Sequence, residues 1–134
     1  MEKTRYAKVI GEIGEEIGLI SNRIGVAALN IEEGKSAESL QNAKQDYLNA
    51  VDGYKKCKED LIQVMPPNIV GEEHKELIET FELFIQGTEE MFNGINIEQA
   101  TIDFAIILEG RTIQKNAETR VEDIGDRIVK KLLK

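Results

Sequence analysis

The chain has 134 residues, 41% hydrophobic and 31% charged, with no Trp, two prolines and a formal net charge of −8. That length suits one domain with a real core, and the lack of regularly spaced turn residues excludes a sheet protein. The acidic balance argues against nucleic-acid binding through a basic surface and against adhesion to anionic lipid. No apolar run approaches the roughly 20 residues of a membrane span.

The first predicted helix runs from about Thr4 to Ile31. Tyr6, Ile10, Ile13, Ile17, Ile20, Ile24, Ala27 and Ile31 form a heptad stripe. Gly11, Gly18 and Gly25 follow it at the same spacing, with Gly14, Ser21 and Ala28 beside them. Each interior glycine loses up to about 1 kcal/mol against alanine, so tertiary packing must hold this helix. Close approach of another helix of the same chain is the leading explanation for the small residues. Gly34 is the expected helix end.

Ser36, or alternatively Ser39, caps a second helix reaching about Met65. Its stripe is Leu40, Ala43, Tyr47, Ala50, Tyr54, Cys57, Leu61 and Val64, with Val51, Ile62 and Met65 widening it. Pro66 and Pro67 stop it. The third helix spans about Gly71 to Asn93–Gly94, and its stripe is His74, Leu77, Ile78, Phe81, Phe84, Ile85, Thr88, Met91 and Phe92. Its phenylalanines are the bulky counterpart of the small faces on the first two helices. The fourth helix begins near Asn96 or Ile97 and runs to about Leu132. Its apolar start, Ala100 to Leu108, is wide enough to suggest a nearly central segment. One long helix is expected past Gly110 and Gly125. The whole is read as all-α, an up-down-up-down four-helix bundle with a long C-terminal helix, residues 1–134 forming a single domain.

Charge is unevenly placed. Residues 71–109 hold ten acids against one lysine, and residues 111–134 hold seven bases against four acids. The third helix therefore carries an acidic outer face that includes Glu76, Glu79 and Glu82.

No catalytic or cofactor motif is present in the sequence, and no enzyme is expected. His74, the one histidine, has Gly71 three residues before it, so the Glu-x-x-His pair of a di-metal bundle is missing. It reads as a partly exposed first-turn residue, and no metal or cofactor is expected. Cys57 is the one cysteine. It excludes an intrachain disulfide and reads as a buried small hydrophobe. The start, MEKTRYAKVIGEIGEE, has no continuous apolar stretch and does not read as a signal peptide. The compartment stays open between cytoplasmic, as written, and extracytoplasmic, if a leader was removed.

Two surfaces are candidates for a protein partner or a second copy, as in a homodimer. One is the edge of the first helix at Gly11, Gly14, Gly18 and Gly25. The other is the acidic face at Glu76, Glu79 and Glu82. The function expected is a non-enzymatic interaction module that self-associates through the glycine edge. The alternative is a small-ligand or sensor-type extracytoplasmic bundle, with a pocket between the third and fourth helices near Phe81, Phe84, Phe104 and Arg111.

The pattern LIQVMPP…EEHKELIETFELFIQGTEEMFNGI…IEQATIDFAIILEGRTIQKNA resembles helical domains of small uncharacterised lipoproteins and secreted proteins of Gram-positive bacteria. The matching positions are Pro66, Pro67, His74, Gly87 and Gly110. The resemblance covers about half the chain. It implies a helical fold and an extracytoplasmic setting, and no activity.

Overall fold

The computed structural model describes residues 2–33 and 36–134. Among them are four α-helices: α1 (Lys3–Glu33), α2 (Ala37–Gln63), α3 (Gly71–Asn93) and α4 (Phe104–Leu132). A 3-10 turn at Asn68–Val70 leads into α3, and a minimal antiparallel hairpin, β1 (Ile95–Asn96) and β2 (Thr101–Ile102), leads into α4. The fold is an all-α bundle of the expected kind, with consecutive helices packed side by side. No helix among the described residues is long and apolar enough to cross a membrane. Gly34, read as the end of the first helix, lies outside the described residues.

The heptad stripes become the core. On α1, Ile13, Ile17, Ile20, Ile24, Ala27 and Ile31 are buried; on α2, Leu40, Ala43, Tyr47, Ala50, Tyr54, Cys57 and Leu61 are. Ser36 caps α2, its hydroxyl accepting from the Ser39 amide at 3.1 Å. The helix stops at Gln63 and the chain is extended at Val64, so Ile62 and Met65 stand exposed rather than widening the stripe. On α3, Phe84 stacks on Tyr54 with ring centroids 4.7 Å apart, and Phe81 tilts against both rings.

His74 corrects the sequence reading. It is buried, with Nε2 2.9 Å from the Leu61 carbonyl and Nδ1 2.7 Å from the Tyr6 hydroxyl. A carbonyl only accepts, so Nε2 carries the proton, and in the neutral ring Nδ1 accepts from Tyr6. Three helix ends are tied together there: the start of α1, the end of α2 and the start of α3. At the same end Lys131 donates to both carboxylate oxygens of the buried Glu73 at 2.9 Å, and Arg127 donates to Glu76 at 2.5 Å.

The start of α4 is the second correction. The chain does not become helical at Asn96. The Asn96 side chain accepts from the Gln99 amide at 3.1 Å, and Ala100 sits at φ 53°. That backbone is a turn, which side-chain bonding by Asn favours and which a helix cannot contain. Asp103 then caps α4, accepting from the Ile106 amide at 3.2 Å. From Phe104 to Leu132 the helix is continuous, as expected.

The glycines of α1 are the third correction. A Cβ added at Gly11, Gly14, Gly18 or Gly25 would meet nothing within 4 Å, so they do not admit another helix of this chain. Close approaches occur elsewhere. A Cβ at Gly53 of α2 would lie 2.8 Å from Ile20, and one at Gly87 of α3 would lie 2.7 Å from the Gly110 carbonyl of α4.

These contacts set opposite signs for two similar substitutions. Gly87→Ala is expected to destabilise by about 1–3 kcal/mol through overpacking against backbone that cannot yield. Gly18→Ala is expected to stabilise by up to about 1 kcal/mol through helix propensity alone. Denaturant unfolding of both variants checks this, and a destabilised Gly18→Ala would place that glycine in a packed seam after all.

Candidate functional site

The helix ends opposite His74 are less well filled. α4 is held against α3 where Gly87 and Gly110 meet, and α1 is held against α2 by the isoleucine stripe. Between the C-terminal half of α1 and the first two turns of α4 a groove of about 660 Å³ is left. Its walls are mostly apolar: Val26, Ala28 and Leu29 on one side, Phe104, Ile107 and Leu108 on the other.

The side chains along the groove come from stripes that the core does not use. On α1, Val26 and Leu29 lie off the heptad seam and are 48% and 54% exposed; Leu19, seven residues before Val26 and outside the groove's lining, is 56% exposed. On α4, Phe104 and Leu108 lie one turn apart and are 54% and 66% exposed. Scattered exposed leucines are ordinary, whereas here apolar side chains are gathered along one groove. The apolar start of α4, expected to be central, has no buried residue before Gly110. The reason is geometric. Asp103 starts the helix at the bundle's open end, where α1 has not closed over it.

Arg111 is the one charged residue among the described residues lining the groove. It follows Phe104 by seven positions and Leu108 by three, so the three share a ridge. It is half-buried and has no ion-pair partner among the described residues. Its charge reaches the hydroxyl of Tyr47, where it opposes the larger effect of burial, which pushes that phenol up to about 12. Tyr47 is fully buried and its hydroxyl has no hydrogen-bond partner among the described residues. The next buried phenol along α2 differs. Tyr54 receives a hydrogen bond from Gln114 at 3.3 Å and shares another with Ser21 at 3.2 Å.

The four residues of the expected ligand pocket are therefore not brought together. Phe81 and Phe84 are fully buried against Tyr54, and the seam between α3 and α4 is closed by backbone contact at Gly87 and Gly110. Phe104 and Arg111 belong to the groove with α1. The acidic face is partly neutralised within the chain: Glu76 pairs with Arg127 and Glu82 with Lys58, while Glu79 is exposed. Of the glycine edge, Gly11, Gly14 and Gly18 are exposed, and Gly25 lines the groove. Val26, Leu29 and Leu108 were not singled out from sequence. The spacing of Leu19, Val26 and Leu29, seven and then three, is the signal that could have found them.

Burial, with lesser contributions from Glu16 and Asp60, pushes the Cys57 thiol up to about 11, far from the range in which a thiolate forms readily. Among the described residues no three His, Cys, Asp or Glu side chains converge as a metal site would require. Comparison with protein families, with curated proteins and with solved structures found no match.

The polar end of the bundle carries a pH dependence of stability. Burial lowers the pKa of His74 below 6.5, and its bond to Leu61 only partly opposes this. The unfolded chain therefore takes up the proton first as pH falls. The stability this gives is fully present above about pH 6.5 and is lost as pH drops toward the folded pKa. Glu73 is lowered by its bond to Lys131, and its contribution is lost in a separate window, below about pH 4.5. Unfolding free energy measured between pH 7 and pH 5 is expected to fall in the natural chain. It should stay nearly flat in His74→Phe, and equal slopes in the two chains would show that His74 is not the group responsible.

Proposed function

We propose that the protein is a non-enzymatic interaction module that receives an apolar helix in the groove between α1 and α4. The observation that carries this is the pair of apolar faces opposed across the groove, Val26 and Leu29 on α1 and Phe104 and Leu108 on α4, with no element of the described chain between them. A helix laid in a groove of this kind anchors residues at one-turn spacings into both walls. Each large side chain it covers is worth roughly 1.5–3 kcal/mol when fully buried. The open side favours a helix over a small molecule, because a small ligand is usually buried over most of its surface.

Self-association through the edge of α1 is a second reading. Its support is the open space beside Gly11, Gly14 and Gly18, next to the exposed Leu19.

The double variant Leu29→Glu/Leu108→Glu separates surface from core. Each change is expected to alter stability by no more than about 0.5 kcal/mol. Together they should abolish binding of a 20-residue helical peptide with a leucine stripe, read by fluorescence anisotropy. Loss of several kcal/mol of stability would make these residues core and end the groove reading. Sedimentation at two concentrations addresses the second reading: association lost in Gly18→Leu but kept in the double variant would put the self-contact on the glycine edge.

A further inference from the structure

We infer that the helix received by the α1–α4 groove presents a carboxylate to Arg111, so that the partner is an amphipathic helix with an Asp or Glu beside its apolar stripe. This rests on the groove reading above and adds the chemistry of the occupant. The lining on α1 runs from Asn22 to Ile31, about 14 Å of helix and close to two and a half turns of a partner helix. An apolar helix laid over that length would cover Arg111 as well. A guanidinium covered without an anion loses its hydration and gains nothing in return, which is strongly unfavourable.

The described residues of the groove do not supply that anion. The described lining holds no carboxylate. Glu118 lines the adjoining hollow together with Arg111, yet the two form no ion pair. The guanidinium asks for an acceptor, and a carboxylate meets it through two parallel hydrogen bonds.

A second copy bound symmetrically does not meet this need. Laid groove to groove across a two-fold axis, Arg111 would meet another Arg111. The occupant inferred here is a different chain that brings its own acid. The register is also set. Arg111 lies seven residues beyond Phe104 on α4, so the acid sits about 10 Å along the partner from the side chain that meets Phe104.

The test is a displayed library of 20-residue helical peptides, with leucines fixed at one-turn spacings and all other positions randomised. It is selected in parallel on the natural chain, Arg111→Gln and Arg111→Glu, each first shown to be folded by thermal melting. On the natural chain Asp or Glu should be enriched at one position. That preference should vanish on Arg111→Gln and turn to Lys or Arg on Arg111→Glu. Changing the selected acid to lysine should weaken binding to the natural chain by about ten-fold or more and restore it on Arg111→Glu. Peptides that require Leu29 and Leu108 but show no charge preference, or the same acid on all three surfaces, would overturn this inference and leave the groove reading intact. If no enriched peptide depends on Leu29 and Leu108, both fall. Self-association that is abolished by Leu108→Glu would make the occupant a second copy, and the inference would again be overturned.

Discussion

The contact between Gly87 and Gly110 governs the arrangement of this bundle. The backbones of α3 and α4 touch there, with a hypothetical Cβ on Gly87 only 2.7 Å from the facing carbonyl. Neither position tolerates a side chain without moving a helix. The contact fixes α4 sideways against α3 and closes their seam to any pocket. It also leaves the first two turns of α4 projecting along the side that α1 does not cover. The apolar groove is thus the complement of a tight seam two helix faces away.

Much of the fold was legible in the sequence because the signals were periodic. Isoleucines at seven-residue spacing on α1, and the alternation of Leu, Tyr and Ala on α2, can bury one face in only one way. Ser36 and the proline pair marked their breaks through local backbone chemistry. What escaped depended on competition between local and distant preferences. The stretch Asn96 to Ile102 has helical composition, but a side-chain bond from Asn96 and a cap at Asp103 form a turn first. His74 looked like a surface residue because its partners, Tyr6 and Leu61, lie on two other helices.

The candidate site was legible only in fragments, for a related reason. The sequence singles out Phe104 and Arg111, but for a pocket between the third and fourth helices, and the wide apolar stripe at the start of the fourth suggests a central position. Width says how much apolar surface a helix carries. Whether a neighbour covers it is decided by where that neighbour is pinned, here by glycines on α3 and α4. The glycines of α1 drew notice by their regularity, yet Gly53, Gly87 and Gly110, which stand singly in sequence, make the close contacts.

Polar and apolar features are segregated to opposite ends of the bundle. At one end Tyr6, His74 and the Leu61 carbonyl hold α1 by directional hydrogen bonds, with Glu73 and Lys131 bonded nearby. At the other, α1 faces α4 across the groove and is held against α2 by Ile24, Ala27 and Ile31, all buried. The two ends therefore answer to different variables. Acid that protonates His74 unties the first end, whereas the second is set by buried apolar area and responds to temperature and denaturant instead.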